Sequence, residues 1–322
     1  MADREIKLCL IGAGSHSSGN IYPYLYQVKN AKAVANCDLD LEKARRIALP
    51  FSIPRSYTDY REMLDTEKPD GVIICVGGEF HANGAIDVME LGFNVYTEKP
   101  PAHSVEMARK VIETKRRTGK ICMTAYKKRY APAYVKAKSV IDSEDFGDPT
   151  LINIVRTKGP DDPTYLLRWG CHVLDLMPYL FGTVEQVCAF VTPGSTHAYS
   201  INMRFRNGAV GNLSVCDRPG GVWEEVMACG SNQVTVRTQN SIFMQAYRVN
   251  QPFAQHRPNF TQGGKGHVEQ GFVGELREFV SAIREDREPK SSIEKSAHSI
   301  AIYEACIRSA ETGQPESVEE LI

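Results

Sequence analysis

The sequence predicts an α/β protein in which an N-terminal, doubly wound parallel sheet is followed by an α+β domain with a large, mostly antiparallel sheet. In the first third, short apolar runs alternate with amphipathic stretches, the rhythm of βαβ units. Runs 7–11 and 72–76 are almost continuously apolar, as expected for parallel strands buried on both faces. After about Thr124 the rhythm changes, and from about 183 to 247 the pattern is mostly alternating, with a hairpin signal at Asn207-Gly208.

The elements follow from these periodicities, and they divide the chain into domains at 1–125 and 126–322. Strands are predicted at 6–11, 33–37, 71–75, 94–96 and 121–124, with helices at 21–28, 41–49, 59–64, 81–91 and 105–118. In the second domain we expect helices at 133–141, around His172, at 272–284 and at 293–312, β-structure from 183 to 247, and a long loop at 250–266.

Composition limits the classes of function. The 322 residues carry a formal net charge of -1, so no basic field gathers nucleic acid or anionic lipid. The N-terminus is too polar for a signal peptide, and we expect a cytoplasmic protein that binds neither nucleic acid nor membrane. The nine cysteines are scattered singly without zinc-ligand spacing, which predicts a reducing compartment and no structural metal.

A glycine turn, Gly12-Ala13-Gly14, follows the first strand, where a backbone can approach a pyrophosphate without a Cβ in the way. Ser17 stands where a dinucleotide fingerprint has its third glycine, and Gly19 comes two residues later, so we expect a longer loop than usual. The alternative is an ordinary glycine turn.

A carboxylate supports the dinucleotide interpretation. The second strand ends at Asp38, where a carboxylate can accept hydrogen bonds from both adenosine ribose hydroxyls and repel a 2'-phosphate. The cofactor is therefore expected to be NAD, with NADP less favoured. The alternative is that Asp38 and Asp40 only cap the next helix.

Two residues suggest proton transfer. Lys99 ends an apolar strand at Glu98-Lys99-Pro100, and His172 lies on a helix-like stretch of the second domain. An alcohol oxidation needs a base with a pKa near the working pH, which suits His172. Lys99 could stabilise the developing alkoxide as a cation, or act as the base itself if burial lowered its pKa.

Other side chains could complete the site. Asp175, three residues after His172, could orient the imidazole, hold a substrate hydroxyl, or be a structural partner. Arg168 could bind a carboxylate or phosphate, or form a salt bridge. Lys128 and Arg129 could face the cleft that holds the substrate. Three aromatic side chains could stack on a pyranose: Tyr126, Tyr165 and Trp169. The remaining histidines are interpreted as surface or loop residues: His16, His103, His197, His256, His267 and His298.

The order of these motifs resembles the Gfo/Idh/MocA oxidoreductases, relatives of glucose-fructose oxidoreductase and inositol dehydrogenase. The resemblance extends over nearly the whole chain, from the glycine turn and Asp38 to Gly170-x-His172-x-x-Asp175 and the final helices, and Glu98-Lys99-Pro100 is its most specific element. It implies an N-terminal Rossmann domain, a C-terminal domain used to form dimers or tetramers, and hydride exchange with a sugar or polyol alcohol.

The resemblance also assigns roles. Lys99 would contact the reacting hydroxyl, His172 would be the catalytic histidine, and substrate contacts would include Arg168, Asp175 and Tyr126. The cofactor-binding residues would be Gly12, Gly14, Ser15, His16, Asp38, Val76, Gly77, His81, Glu98 and Lys99. The chain departs from the family at Arg168, where an aspartate is common, and at 76–78, where Thr-Pro-Asn is common.

We therefore expect an NAD-dependent dehydrogenase for a sugar, cyclitol or sugar derivative that works as a homodimer or homotetramer. Two alternatives stay open. One is a non-catalytic regulatory protein that binds NAD and a sugar, and the other is an NAD-dependent glycosidase that oxidises a sugar carbon transiently.

Overall fold

The computed structural model describes residues 4–157, 164–194, 198–217, 221–258 and 266–321. The strands are β1 Ile6–Ile11, β2 Ala31–Cys37, β3 Arg55–Tyr57, β4 Gly71–Ile74, β5 Asn94–Thr97, β6 Cys122–Thr124, β7 Pro149–Thr157, β8 Val184–Val191, β9 Ala198–Phe205, β10 Val210–Cys216, β11 Trp223–Gly230, β12 Val234–Gln239, β13 Phe243–Arg248, β14 Gln251–His256 and β15 Glu316–Ser317. The α-helices are α1 Ser15–Asn20, α2 Leu41–Ala48, α3 Tyr60–Glu67, α4 Phe80–Glu90, α5 Val105–Thr118, α6 Pro132–Ile141, α7 Tyr165–Arg168, α8 Cys171–Phe181, α9 Phe272–Glu285, α10 Ile293–Ser296 and α11 His298–Thr312. Three 3-10 helices lie at Tyr22–Gln27, Leu49–Phe51 and Lys127–Tyr130.

The first compact unit is built on a six-stranded parallel sheet in the order β3-β2-β1-β4-β5-β6. Ile11 pairs with Cys37 on one side and with Ile74 on the other, and Ile74 pairs with Thr97. Because these residues form one row, the positions that follow them lie along the carboxyl edge of the sheet. The strand order reverses at β1, which makes this edge the place where doubly wound folds bind ligands.

Residues Phe272–Ser296 belong to the first unit, with the chain up to Tyr126. The Phe279 ring lies 5.8 Å from the Tyr96 ring, and a Cβ at Gly71 would lie 2.7 Å from Ile283 Cδ1. These apolar contacts bury α9 with the parallel sheet. The expected division into 1–125 and 126–322 therefore differs from the observed packing, because the apolar face of α9 finds its partners in the first unit.

The second compact unit comprises Lys127–Gly271 and Ala297–Ile322. Its nine-stranded sheet has the order β14-β13-β12-β11-β7-β10-β9-β8-β15, and only the β7–β10 pair is parallel. Along β9 every second side chain is buried, which places one face of the sheet against helices. On that face α11 packs on β8, and α6 packs on β12 and β13. Both predicted sheet types are confirmed.

Local predictions differ from the structure in several places. Strand β3 was missed because its three residues are short of an apolar run and none of them is buried, and β14 lies inside the predicted loop at 250–266. The helix predicted at 293–312 divides at Ala297 into α10 and α11. The expected longer glycine loop is wrong, since α1 begins at Ser15, and a 3-10 helix occupies most of 21–28. No helix among the described residues has the length and apolarity needed to cross a membrane.

Candidate active site

At Gly12 the backbone of the glycine turn packs directly against the backbone that follows β4. The Gly12 φ is +105°, and a Cβ there would lie 2.1 Å from the Cys75 carbonyl oxygen. Its N–H donates to the Cys37 carbonyl at 2.8 Å. At Gly14, by contrast, no atom lies within 4 Å of an added Cβ, so the turn leaves open space above its backbone. A tight turn with an open backbone at the carboxyl edge fits a pyrophosphate.

The Asp38 carboxylate ties β2 to this turn. Oδ2 accepts the Ala13 N–H at 2.8 Å and lies 3.0 Å from Lys43 Nζ. Burial alone raises the pKa of Asp38, but these hydrogen bonds outweigh it and hold the pKa below its usual value. Asp40 is the residue that caps α2, by accepting the Lys43 N–H at 3.0 Å. Asp38 therefore does more than cap a helix, and it stays ionised at neutral pH.

His81 links the loops that follow β4 and β5. Its Nδ1 lies 2.9 Å from the Pro100 carbonyl oxygen, and its Nε2 lies 3.2 Å from the Val76 carbonyl oxygen. Burial lowers the pKa of His81 although both ring nitrogens face carbonyl oxygens, which favours the neutral ring. Only 2% of the residue is exposed. In this structure His81 positions Val76 and Pro100, and little of the ring is available to a cofactor.

Glu98 follows β5 at the same edge. Its Oε1 lies 3.1 Å from His16 Nε2, and its Oε2 accepts the Lys99 N–H at 3.2 Å. Burial would raise the pKa of Glu98, but the His16 hydrogen bond and the nearby charge of Lys99 lower it below its usual value. Asn20 Nδ2 lies 3.1 Å from His16 Nδ1 and holds the ring from its other side. The structure thus gathers Gly12, His16 and Glu98 along one edge.

In the second unit, His172 lies in the first turn of α8 and is largely buried. Asp175, one turn further on, is bound in a bidentate ion pair with Arg129, at 2.8 Å from Nε and 2.6 Å from Nη2. Burial raises the pKa of Asp175, and the Arg129 charge only partly offsets this. Because both carboxylate oxygens are bound to Arg129, the structure favours the interpretation of Asp175 as a structural partner.

Lys128 and Arg129, which were expected as possible cleft residues, are both buried in ion pairs. Lys128 is buried with Glu224, which also accepts hydrogen bonds from Tyr134 Oη at 2.8 Å and from Arg156. Burial raises the pKa of Glu224, but the two cations outweigh it and hold the pKa far below its usual value. Sequence reasoning missed this network because its members come from the 3-10 helix Lys127–Tyr130, α6, β7 and β11, and only the β7–β11 register places Arg156 opposite Glu224.

The remaining predicted substrate residues differ in accessibility. Arg168 ends α7 and is exposed, as a role in anion binding requires. Tyr126 is fully buried, so stacking on a sugar would require the ring to move. His298 is half-buried, contrary to the expected surface position, and its Nε2 accepts the Val184 N–H at 3.2 Å. His197 lies outside the described residues.

Two family models match the chain. Residues 6–126 match a model described as an oxidoreductase family, NAD-binding Rossmann fold, and residues 138–319 match the C-terminal alpha/beta domain of the same family. The first unit is therefore an NAD-binding Rossmann domain, as the glycine turn and Asp38 predicted. The predicted cofactor, NAD, is confirmed.

The individual relatives described next share only 20–26% sequence identity with this chain. The 4-carboxy-2-hydroxymuconate-6-semialdehyde dehydrogenase of Sphingobium sp. is 26% identical over 89% of this chain and 93% of its own length. The scyllo-inositol 2-dehydrogenase (NAD(+)) of Bacillus subtilis is 26% identical over 63% of this chain, and the match spans 60% of that enzyme. An oxidoreductase from Agrobacterium radiobacter, solved with NAD+, L-tartaric acid and magnesium, has the same fold, with a TM-score of 0.88, 20% identity and 98% coverage of both chains.

Proposed function

Because the chain belongs to the Gfo/Idh/MocA oxidoreductase family, we propose that it is an NAD-dependent dehydrogenase acting on a secondary alcohol of a sugar, cyclitol or sugar derivative. The observation that carries the proposal is the ionised Asp38 fixed beside the Gly12 turn, on a domain of the NAD-binding type. The inositol dehydrogenase relative supports the substrate class.

The residues at the carboxyl edge fit NAD. The backbone at Gly12 and Gly14 would receive the pyrophosphate, and Asp38 would accept the adenosine ribose hydroxyls. Ser15, His16, Val76, Gly77 and Glu98 would surround the remaining cofactor, with His81 holding the Val76 loop in place. NAD supplies the hydride acceptor when it is bound.

Lys99 and His172 are the proposed catalytic residues. As a cation, the Lys99 amine would polarise the substrate oxygen and stabilise negative charge on it. The His172 imidazole would accept the hydroxyl proton, which a neutral ring can do near pH 7. Arg168, exposed at the end of α7, would bind an acidic group of the substrate.

A substrate with carboxylate groups is the second candidate. One relative, matched over 89% of this chain, is named for a carboxylated semialdehyde, and Arg168 replaces the aspartate common in the family. The substrate panel should therefore include polyols, sugar acids and carboxylated semialdehydes. A regulatory protein without turnover, or a redox glycosidase that retains its NADH, would show no net NADH release with any member of the panel.

The proposal also covers the oligomeric state of the protein and its location in the cell. The face of the large sheet opposite the helices carries apolar side chains that are partly exposed, such as Val155 on β7 and Phe190 on β8. We propose that this face joins two or more copies of the chain into a homodimer or homotetramer. The absence of a membrane-crossing helix among the described residues is compatible with the proposed cytoplasmic location.

Lys99→Met tests the catalytic assignment. With an accepted substrate, we expect kcat to fall by about a thousandfold, because the charge that stabilises the alkoxide is lost. The Kd for NADH, measured by fluorescence titration, should change by less than about threefold. Lys110→Met is the matched control, since Lys110 is a surface lysine of the same unit that pairs with Glu106. Wild-type turnover in Lys99→Met would disprove the assignment.

A further inference from the structure

Three side chains of different chemistry meet at the carboxyl edge of the parallel sheet. His16 lies on α1, Cys75 directly follows β4, and Glu98 directly follows β5. The ring nitrogen of His16, the sulfur of Cys75 and a carboxylate oxygen of Glu98 all lie within 4.8 Å of one another. The pairing of Ile74 with Thr97 fixes this meeting, because it places residues 75 and 98 side by side.

These atoms match the ligands that Zn²⁺ prefers. Zinc binds sulfur at about 2.3 Å, imidazole nitrogen at about 2.0 Å and carboxylate oxygen at about 2.1 Å. An ion among three atoms this close would need a shift of only about half an ångström in the side chains to reach those distances. The fourth tetrahedral position would hold water.

The charges also balance. Cys75 and Glu98 are both buried, and a thiolate and a carboxylate together neutralise a divalent cation. On binding, the Cys75 thiol loses its proton to solvent, and the sulfur lone pair forms the bond to zinc.

Neighbouring residues can orient the His16 ring, and solvent can reach the three proposed zinc ligands. Asn20 Nδ2 lies 3.1 Å from His16 Nδ1. Rotating the Asn20 amide by 180° would place Oδ1 there instead, to accept the Nδ1–H and leave Nε2 free of its proton to face the metal, as partners of metal-binding histidines do. The His16 side chain is 45% exposed, whereas that of Glu98 is 8% exposed. Solvent therefore reaches the cluster from the His16 side.

We propose that His16, Cys75 and Glu98 form a binding site for a thiophilic divalent cation, with Zn²⁺ as the fitting ion, and that an ion bound there excludes NAD. The exclusion rests on the proposed function, because His16 and Glu98 are also proposed cofactor contacts. Zinc bound at this site would therefore inhibit the enzyme. NAD affinity would fall as free zinc rises, and this effect would require the Cys75 thiol.

Zinc affinity of the cofactor-free protein provides the direct test. Zn²⁺ is titrated against a chromophoric chelator, and Co²⁺ serves as a spectroscopic probe of thiolate coordination. We expect one equivalent to bind to the wild-type chain, with a sulfur-to-cobalt charge-transfer band. Cys75→Ser should lose the band and weaken zinc binding about tenfold or more, since a hydroxyl is a poor zinc ligand.

The matched control is Cys188→Ser, a half-buried cysteine of β8 in the other unit, which should bind zinc as the wild type does. Circular dichroism establishes that both variants fold. A second variant, His16→Gln, should weaken zinc binding to a similar degree. Equal zinc affinity of Cys75→Ser and wild type would overturn the site.

An NADH titration separates the two proposals. If both are correct, saturating NADH prevents zinc binding, and the apparent Kd for NADH rises in proportion to free zinc once zinc exceeds its own Kd, as for two competing ligands. Cys75-dependent zinc binding with no effect on NADH would leave the metal site standing and disprove the placement of the cofactor at His16 and Glu98. Normal NADH binding without zinc binding would disprove the metal site alone.

Discussion

Lys43 Nζ lies 3.0 Å from Asp38 Oδ2, so the carboxylate that favours NAD carries its own counter-charge. The pair joins the first turn of α2 to the end of β2. A carboxylate in this position repels a 2'-phosphate, and a neighbouring ammonium group weakens that repulsion. Lys43 was not singled out from the sequence, because only the turn from β2 into α2 brings its amine back to Asp38.

We predict that Lys43→Met makes the protein more selective against NADP. The Kd for NADPH should rise about tenfold, since the 2'-phosphate then faces an uncompensated Asp38, while the Kd for NADH should change by less than about threefold. Fluorescence titrations with both cofactors measure this. Arg46→Met, on the same helix, is the control and should leave both constants unchanged. An unaltered NADPH affinity in Lys43→Met would contradict the prediction.

Gly12→Ala should destabilise the first unit. The new Cβ would lie 2.1 Å from the Cys75 carbonyl oxygen at a backbone φ of +105°, so both sterics and backbone strain oppose it. We expect a loss of about 3 kcal/mol in unfolding free energy. Gly14→Ala meets no atom within 4 Å and has a φ of -74°, so it should retain wild-type stability. Thermal denaturation followed by circular dichroism compares the two.

Asp175→Asn should act mainly on stability. The substitution leaves the Arg129 guanidinium buried without its carboxylate, which typically costs about 3–5 kcal/mol. We expect a lower Tm, partly restored by the double substitution Arg129→Met with Asp175→Leu. If Asp175 instead orients His172, Asp175→Asn would lower kcat and shift its pH profile while leaving Tm near the wild-type value.

His298 should make the second unit sensitive to acid. Burial lowers the pKa of His298 to about 4, and its Nε2 accepts the Val184 N–H. The unfolded chain binds a proton below pH about 6.5, whereas the folded chain does so only near 4. Unfolding therefore takes up a proton between these values, and stability falls by about 3 kcal/mol as the pH falls through that window.

His298→Gln should flatten this pH dependence, because glutamine keeps an acceptor for Val184 and does not titrate. The measurement is Tm at intervals between pH 7 and 4. His103→Gln, at an exposed position, is the control and should follow the wild-type curve. A variant that loses Tm as steeply as the wild type would show that another group causes the acid sensitivity.

Local sequence patterns were sufficient to predict much of the fold and the cofactor of this protein. The apolar runs of β1 and β4, the glycine turn and Asp38 together predicted the Rossmann domain and NAD, because burial on two faces and a close backbone approach each restrict the residue types allowed. Helix α5 was predicted at its observed bounds from its periodicity, and in the structure Ser104 caps its start and Gly119 ends it in the left-handed conformation.

Contacts between distant segments were decided by the tertiary structure. The sequence does not show that α9 packs with the first unit, that Asp175 pairs with Arg129, or that Lys128 is buried against Glu224. Nor does it place Cys75 beside Glu98 and His16. Each depends on strand register and helix packing, which fix distances between residues far apart in the chain, whereas periodicity reports only the neighbours along it.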